Sequence, residues 1–457
     1  MSWVNRKVAL LAVVETGLAY LAVYIATLVR FSGALPGADH GEWLWLRAAA
    51  FAAAVCLGLT AMGLYQVRQR LTIEGVIVRL VIGLGFAALG LTVVYFVYPP
   101  LLLWRGWWAL SFVFAFLLLV ASRVVFMRLV EQDVFRRRVL VYGTGKRASS
   151  LMQLRRRSDQ RGFQIVAFVP AASEAQLIDD RRIDTSSSNL TELVRKHDVD
   201  EIVIAMDDRR RGFPIRELLD CKFMGIDVVD IVTFLERESG KVMVGLMEPS
   251  WMIFAEGFTR RNSRMAVSRC VDLVAALAGL AIGWPLMGLT ALAILIEDGR
   301  PVLYRQTRVG LLGEPFQLLK FRSMTKDAEK LGEAQWAQRN DSRVTKVGQL
   351  IRKLRFDELP QLLNIIRGDM RLVGPRPERP EFVTSLAEKI PYYHERHCVK
   401  PGLTGWAQLS YPYGSSERDA LEKLQFDLYY VKNQSLMFDL MILLQTVEVV
   451  LWGKGAR

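Results

Sequence analysis

The stretch KLRFDELPQLLNIIRGDMRLVGPR, residues 353–376, decides the fold of the second half of the chain. Two adjacent carboxylates, Asp357 and Glu358, stand before a proline and an apolar run that predicts one short helix. Arg352 precedes the pair, and a Gly-Pro-Arg-Pro turn brings in Arg376 after it. Fixed cations around a carboxylate pair suit an anionic, metal-bound substrate. The alternative for the dipeptide alone is a solvated helix start, where the helix dipole favours acids.

Further segments with distinctive patterns lie around this stretch. In chain order they are PVLYRQTRVG (301–310), LLKFRSM (318–324), RFDELPQLLNIIRGDM (355–370), LVGPRPERPEF (372–382), PGLTGWAQ (401–408) and QFDLYYVKN (425–433). On these segments, the chain from about Arg264 to its end resembles the bacterial sugar transferases. These phosphoglycosyl transferases of exopolysaccharide biosynthesis move a hexose-1-phosphate from a nucleotide sugar to a polyprenyl phosphate. The whole chain resembles the long, monotopic-type form, in which a membrane bundle and a soluble domain precede the catalytic part.

The composition indicates a membrane protein with several domains. The 457 residues predict two or three domains. Hydrophobic residues make up 52% of the chain, and its mean hydropathy is +0.21. The net charge is +13, but the basic residues fall at the ends of apolar stretches, which favours a lipid bilayer over nucleic acid as the partner. The four cysteines include no Cys-x-x-Cys pair, so neither a disulfide framework nor a zinc site is expected.

Four apolar stretches predict a transmembrane helical bundle. They cover residues 8–29, 43–65, 76–98 and 107–127. Each is long enough to cross a bilayer, and tryptophan and tyrosine residues stand at their ends. The distribution of lysine and arginine predicts that both ends of the bundle lie in the cytosol. The resemblance implies that the membrane is the bacterial inner (cytoplasmic) membrane. Glu15 and Arg123 lie within apolar runs, where an ionisable residue can mark a functional site, but their positions near span ends favour snorkelling to the headgroups.

From residue 139 the pattern predicts a parallel, doubly wound, Rossmann-like α/β domain. The expected strands are 139–145, 165–169, 201–206 and 226–231. The sequence GTGKRA, residues 143–148, follows the first strand and satisfies the dinucleotide fingerprint G-x-G-x-x-A.

Two features argue against redox chemistry in this domain. The second strand ends in Val169-Pro170-Ala171, where a nicotinamide-binding domain needs an acidic residue. The only Tyr-x-x-x-Lys pair, Tyr142 and Lys146, spans the glycine turn itself. We therefore expect a vestigial or regulatory nucleotide-binding domain, or a dimerisation platform for a homodimer.

A fifth apolar stretch, residues 270–296, contains Trp284-Pro285 in its middle. An internal proline removes a backbone hydrogen bond and clashes with the preceding turn. The alternatives are a bent fifth span and a re-entrant helix that enters and leaves by the cytosolic face. Arginines on both flanks favour the re-entrant form, and the resemblance implies it too. A re-entrant helix also keeps the catalytic part in the cytosol, where nucleotide sugars are.

The resemblance implies a reaction for the carboxylate pair: attack on the β-phosphorus of a UDP-sugar, with release of UMP. Asp357 matches the family's nucleophile, which forms an acyl-phosphate sugar intermediate. Glu358 matches its partner, which helps to hold Mg²⁺. Undecaprenyl phosphate then attacks the intermediate and yields the polyprenyl-diphospho-sugar that starts an exopolysaccharide, capsule or O-antigen-type glycan.

Several cations are candidates for binding the diphosphate. Arg376 is the first, because a guanidinium binds phosphate bidentately and flanking prolines limit its backbone motion. Arg352 is the second, and Lys320 and Arg322 supply further positive charge. Each alone has the alternative of a plain surface residue. Asp369 is either a further metal ligand or the acid of a Gly-Asp turn.

The last apolar stretch, residues 435–452, contains Asp439 and Glu448. These acids favour an amphipathic helix in the membrane interface over a full span, and packing against the domain is the compatible alternative.

The predicted fold is a four-helix membrane bundle over residues 1–135, a Rossmann-like domain over 136–250, and a mainly helical catalytic domain over 251–457 with the re-entrant helix. Two other functions remain open at this point. One is a membrane-bound sugar-nucleotide epimerase or dehydratase, and the other is a nucleotide-sensing scaffold for polysaccharide export. The sequence does not define the sugar, although the resemblance favours glucose-1-phosphate and galactose-1-phosphate.

Overall fold

The chain forms two compact units, Met1–Ser239 and Gly240–Arg457. A computed structural model describes residues 3–31, 43–65, 73–131, 136–152, 162–171, 174–186, 189–210, 212–247, 252, 257–258, 262–325, 343–411, 414 and 416–452. The second unit begins at Gly240. The catalytic domain over residues 251–457 stays a prediction. The division of the first unit into residues 1–135 and a following domain stays a prediction.

The first unit begins with four long helices. They are α1 (Trp3–Arg30), α2 (Leu44–Ala61), α3 (Ile73–Val97) and α4 (Arg105–Glu131). Each contains a segment apolar and long enough to cross a membrane. Helix α1 packs against α2 and α4, and α2 packs closely against α3, where a Cβ on Gly58 would lie 2.2 Å from the carbonyl oxygen of Gly83. The four predicted spans are therefore confirmed as apolar helices.

The expectation that Glu15 and Arg123 snorkel is wrong. Both side chains are buried between α1 and α4 and form a two-point ion pair: Arg123 Nε lies 2.7 Å from Glu15 Oε1, and Nη2 lies 2.8 Å from Oε2. Arg123 Nη1 also donates to the carbonyl of Leu64. A charge inside a bundle is tolerated when a partner neutralises it, and the sequence showed the depth of each residue but not its face.

The rest of the first unit is the expected parallel α/β domain. Its strands are β1 (Arg137–Tyr142), β2 (Phe163–Val169), β3 (Glu201–Ile204) and β4 (Asp227–Asp230), in the order β2-β1-β3-β4. Its helices are α5 (Lys146–Met152), α6 (Leu190–Lys196), α7 (Ile215–Phe223) and α8 (Ile231–Ser239). All residues of β3 are buried, as expected for an inner strand with both faces covered.

The second unit is mainly helical with two small sheets. Its helices are α9 (Asn262–Asp298), α10 (Lys346–Lys353), α11 (Gln361–Arg367), α12 (Pro380–Lys389), α13 (Trp406–Ser410), α14 (Glu417–Asn433) and α15 (Leu436–Trp452). Strands β5 (Leu303–Val309) and β6 (Pro315–Phe321) form an antiparallel pair, and β7 (Arg371–Val373) and β8 (Gly402–Thr404) form a parallel pair.

The segment before α9 belongs to this second unit. Val242 and Val244 are buried in its core, and Val242 N–H donates to the carbonyl of Gln425. The indole Nε1 of Trp406 donates to the carbonyl of Gly240 over 2.8 Å. The folded second unit therefore includes residues that come before the family-like segments.

Helix α9 runs without a gap through Pro285. Residues on both sides of the expected interruption are helical, so the proline does not end the helix. The middle of α9 carries large exposed apolar side chains, among them Ile282 (83% exposed) and Trp284 (66%). This surface suits lipid contact, and the re-entrant path stays a prediction.

Helix α15 packs against β7, so its first acid points inward. Asp439 Oδ2 lies 2.9 Å from Arg371 Nη2, and Asp439 Oδ1 accepts from the Tyr430 hydroxyl over 2.8 Å. Arg371 Nε contacts Asp272 Oδ2 on α9 at 2.8 Å. Arg371 thus links the start of the long apolar helix to the terminal helix.

Candidate active site

A sharp reversal of the chain creates the carboxylate pair. Helix α10 ends at Lys353, and Arg355 has the left-handed backbone conformation, with φ of 60°. A single 3₁₀ turn, Phe356–Glu358, then leads to Pro360 at the start of α11. Proline suits a helix start because its missing N–H has no helical partner there. The reversal places Asp357 and Glu358 between the ends of two helices.

Glu358 is the buried centre of a charged cluster. Its Oε1 lies 3.1 Å from Lys320 Nζ and 3.2 Å from Arg376 Nη2. Its Oε2 lies 3.9 Å from Arg355 Nη1. The structure thus brings together Glu358, Lys320 and Arg376, three predicted residues from three separate segments.

The two carboxyl groups have opposite pKa shifts. Burial raises the pKa of Glu358, but the positive charges of Arg376, Lys320 and Arg355 outweigh it and lower the pKa to about 2. Burial also raises the pKa of Asp357, and the adjacent Glu358 charge raises it further. Paired groups whose environments separate their pKa values commonly have different chemical roles.

The charges of Lys320, Arg352 and Arg355 lower the pKa of Asp357, although burial and Glu358 dominate. Arg352, which we predicted to bind the diphosphate, therefore also acts on Asp357 through its charge. Burial also lowers the pKa of Lys320, against the attraction of Glu358. The cluster consequently balances desolvation against close charges of both signs.

The position of Lys320 depends on a buried amide. Asn364 on α11 is fully buried, and its Oδ1 accepts from Leu319 N–H over 3.0 Å. Its Nδ2 donates to the carbonyl of Gln317 over 2.7 Å. These bonds fasten strand β6 to α11, and so place Lys320 opposite Glu358.

The position of Arg376 depends on three glycines. Gly374 N–H donates to the carbonyl of Thr404, and Gly402 N–H donates to that of Pro375, each over 2.9 Å. A Cβ on Gly402 would lie 2.0 Å from the nitrogen of Gly374, and one on Gly405 would lie 2.2 Å from its oxygen. The backbones of the segments LVGPRP and PGLTG therefore lie so close together that side chains at these glycines would clash with the opposite backbone.

A buried ion pair holds the backbone of Arg376 from the other side. Arg396 Nη2 donates to the carbonyl of Arg376 over 3.0 Å and lies 2.8 Å from Asp427 Oδ2. Arg396 Nη1 donates to the Tyr393 hydroxyl over 2.9 Å. Our sequence reasoning missed this pair, because no local pattern shows that charges 31 positions apart meet in the core.

Arg308 was also missed. It lines a cavity together with Lys320, Arg376 and Gln361. Its Nη1 donates to the carbonyl of Pro377 over 3.1 Å, and its Nη1 lies 3.7 Å from Glu378 Oε2. The sequence could have indicated Arg308, because it belongs to the family-like segment PVLYRQTRVG. In the register of β5 with β6, Arg308 lies on the same face of the hairpin as Lys320. The cavity has three cations, which suits a phosphate-bearing substrate.

Two predicted site residues lie elsewhere. Arg322 is buried at the end of α9, where its Nη2 donates to the carbonyls of Asp298 (3.0 Å) and Gly299 (2.7 Å). A cation there stabilises the negative end of the helix dipole. Asp369 lies at the far end of α11 from the pair and accepts from Asn364 Nδ2 over 3.2 Å.

Among the described residues, no group of three His, Cys, Asp or Glu side chains is placed to hold a metal ion. The structure therefore does not assemble Asp357, Glu358 and Asp369 into one ligand set. Two adjacent carboxylates are nevertheless sufficient for Mg²⁺ in many nucleotide sites, where phosphate oxygens supply the other ligands.

The fold and the site together place a carboxylate pair, with Glu358 buried and Asp357 partly exposed, among cations in a chain with several long apolar helices. Residues 263–453 match the family model described as bacterial sugar transferase. The chain belongs to this family. Residues 44–212 match a second model, described as CoA-binding domain.

Similar proteins cover both halves of the chain. A UDP-glucose:undecaprenyl-phosphate glucose-1-phosphate transferase of Xanthomonas campestris pv. campestris is 30% identical over 364 residues, which are 77% of this chain and 75% of that protein. The protein of the same description from Escherichia coli is 32% identical over 361 residues, 76% of this chain and 74% of that protein.

A third relative differs in the sugar that its name specifies. It is the UDP-N-acetylgalactosamine-undecaprenyl-phosphate N-acetylgalactosaminephosphotransferase of Aeromonas hydrophila, 40% identical over 252 residues, 55% of this chain. The match spans 58% of that relative's length. The relatives thus share a reaction class and not a sugar.

The buried pair behind Arg376 gives a first prediction. Asp427→Asn leaves the Arg396 charge without its carboxylate, so we expect a loss of about 3–5 kcal/mol in the free energy of unfolding. The matched control is Glu417→Gln, which removes the carboxylate of the exposed Lys389–Glu417 pair and leaves stability unchanged. Denaturant unfolding in detergent measures both variants, and equal stability of the two would contradict the structural role of Asp427.

Proposed function

We propose that this protein transfers a hexose-1-phosphate from a UDP-sugar to undecaprenyl phosphate through a covalent intermediate on Asp357, with release of UMP. The observation that carries the proposal is the unequal pair: Glu358 is neutralised by Lys320 and Arg376, whereas Asp357 makes no such close pair among the described contacts. Family membership and the relatives' names support the reaction class. The transfer would begin assembly of a surface polysaccharide.

The first half-reaction uses Asp357 as nucleophile. One carboxylate oxygen attacks the β-phosphorus of the UDP-sugar and forms an acyl-phosphate bond. The bond from the β-phosphorus to the bridging oxygen breaks, and UMP leaves with that electron pair. Burial favours this attack, because a weakly solvated carboxylate with a raised pKa is the better nucleophile.

The second half-reaction restores the enzyme. A phosphate oxygen of undecaprenyl phosphate attacks the phosphorus of the intermediate, the acyl-phosphate bond breaks, and Asp357 leaves as a carboxylate. One phosphoryl bond replaces another in each step, so the sequence of steps needs no ATP. Arg376 and Arg308 face the cavity in which the diphosphate charge develops, where fixed cations stabilise the transition state.

We assign Mg²⁺ to Asp357 and Glu358. Lys320 and Arg376 both contact Oε1 of Glu358, whereas Oε2 has the longer, 3.9 Å approach of Arg355 Nη1. Oε2 and the Asp357 carboxylate are therefore the oxygens best suited to a metal ion. Bound there, Mg²⁺ would neutralise diphosphate charge as a Lewis acid. Asp369 is not part of this set, because it lies across α11.

A re-entrant path of α9 fits the contacts at its two ends. Near its start, Asp272 pairs with Arg371, and Arg269 Nη2 donates to the carbonyl of Ile366 over 2.7 Å. Near its end, Glu297 accepts from the N–H groups of Lys346 (2.8 Å) and Val347 (3.0 Å).

The residues bound at the two ends of α9 belong to one packed body. Helix α11 contacts β6 and α9, and α10 contacts α9 and the turn that bears the carboxylates. A helix that crossed the bilayer between Asp272 and Asp298 would need this body on both faces of the membrane. The contacts therefore support entry and exit by the same face, which we take to be the cytosolic one. A homodimer stays a prediction.

The nucleophile gives the next prediction. Asp357→Asn keeps the shape of the side chain and removes its charge, so transfer should fall by at least about 10³-fold. The assay follows β-³²P from a UDP-sugar into the lipid fraction together with UMP release. Glu388→Gln, which changes an exposed carboxylate, is the control and should retain activity. Near wild-type transfer by Asp357→Asn would exclude Asp357 as nucleophile.

The raised pKa of Asp357 predicts the pH profile. The attack needs the carboxylate, so kcat/KM should fall as pH decreases through this pKa. The Arg352 charge lowers the pKa of Asp357, so Arg352→Gln raises it and should move the acidic limb to higher pH. Lys353→Gln removes the adjacent exposed charge and should leave the limb in place. A limb that stays fixed or moves to lower pH in Arg352→Gln would contradict the electrostatic assignment.

Cysteine labelling tests the path of α9. In a variant without the four native cysteines, single cysteines at Met265→Cys and Arg305→Cys should both resist a membrane-impermeant reagent in intact cells. Both should react once the cytosolic face is opened. Trp104→Cys, between α3 and α4, is the control and should react from outside. Labelling of Arg305→Cys in intact cells would establish a full span.

A further inference from the structure

The glycine turn of the α/β domain lies where such domains bind ligands. In the order β2-β1-β3-β4, the chain passes from β1 to one side and later resumes at β3 on the other. The carboxyl ends of β1 and β3 therefore form the switch-point crevice. The turn Gly143-Thr144-Gly145 follows β1 at this crevice, and in dinucleotide-binding domains its N–H groups receive the pyrophosphate. The match to a CoA-binding domain implies a ligand of this kind.

A carboxylate of the chain itself occupies this position. Asp207, just after β3, accepts from Lys146 N–H at Oδ2 over 2.9 Å and from Arg147 N–H at Oδ1 over 2.8 Å. A Cβ on Gly145 would lie 2.2 Å from Asp207 Oδ2. The carboxylate thus lies directly on the glycine, where the family fingerprint leaves room for a phosphate.

Glu174 adds a second carboxylate to the crevice. Its Oε2 accepts from Thr144 N–H over 3.1 Å, and its Oε1 accepts from Asp207 N–H over 2.6 Å. It therefore joins the turn after β1 to the loop after β3. The two walls also touch, because a Cβ on Gly143 would lie 2.6 Å from the carbonyl oxygen of Ala205.

These contacts do not fit a bound pyrophosphate. The N–H groups of Thr144, Lys146 and Arg147 already donate to carboxylates, and an incoming phosphate would meet two like charges. Asp207 is solvent-exposed. A ligand could bind the N–H groups of Lys146 and Arg147 only by displacing the Asp207 carboxylate from them. A tethered group acts at an effective concentration of the order of millimolar or more, which a free nucleotide must exceed.

We propose that Asp207 and Glu174 are built-in substitutes for the phosphates of a ligand, so that this domain binds neither CoA nor a dinucleotide at its glycine turn. The carboxylates instead fix the loops after β1 and β3 as one structural joint. The domain then retains the dinucleotide-binding architecture without its ligand. This inference does not depend on the proposed transfer reaction.

Hydrogen exchange of the full-length protein in detergent tests the proposal. In the wild type, millimolar CoA or NAD should leave exchange of the peptide that contains residues 144–152 unchanged. Asp207→Ala should speed exchange of the Lys146 and Arg147 amides by about tenfold, because they lose a charged acceptor. Sulfate should slow this exchange again in the variant, since an oxyanion can take the place of the carboxylate.

Asp208→Ala is the matched control. Asp208 accepts from Arg210 N–H and not from the turn, so this variant should exchange like the wild type. Asp207→Asn keeps one acceptor oxygen and should give a smaller acceleration, which also provides the test if the alanine variant misfolds. Protection of the wild-type turn by CoA or NAD would overturn the proposal, and so would unchanged exchange in both Asp207 variants.

Discussion

The contact of Glu358 with Lys320 and Arg376 is the interaction on which the candidate active site of the second unit depends. Each of the three residues lies on a different segment: the reversal before α11, strand β6, and the turn after β7. Glu358 is buried, and Lys320 and Arg376 are half-buried, so their mutual attraction offsets the cost of desolvation. Contacts in the neighbouring structure position the segments that bear Lys320 and Arg376. Asn364 fixes β6, three glycines permit the close approach of β7 and β8, and Arg396 holds the backbone of Arg376.

The same constraint separates the two carboxylates chemically. The close cations of the site pair with one of the two adjacent carboxylates and not equally with both. Lys320 and Arg376 form ion pairs with Glu358 and lower its pKa to about 2, so that this carboxyl group is ionised at neutral pH. Asp357 receives burial and the repulsion of its neighbour, which raises its pKa. The pKa of Asp357, the proposed nucleophile, thus depends on the cations that its neighbour Glu358 binds.

Much of the architecture could be predicted from the sequence, because long apolar runs and alternating strands are local signals. The four helices, the parallel sheet and the position of Arg376 beside the carboxylate pair were expected, whereas Lys320 was expected only as further positive charge for the diphosphate and not as a partner of Glu358. Contacts that depend on which face a residue presents were not. Glu15 and Arg123 lay at plausible snorkelling depths but meet inside the bundle. Arg322, two positions after Lys320, leaves the strand and caps α9, and Arg396 and Asp427 meet only in the folded core. The fingerprint at the glycine turn was present, but residues far along the chain fill it.

The central claim is that Asp357 carries the phospho-sugar during transfer. It is tested most directly by incubating the protein with a UDP-sugar and Mg²⁺ in the absence of undecaprenyl phosphate, quenching in acid, and analysing the peptides by mass spectrometry. The account predicts a hexose-phosphate adduct on the peptide that contains Asp357, lost again when undecaprenyl phosphate is added before the quench. An adduct on a different residue, or transfer at full rate without any adduct in rapid-quench samples, would contradict it.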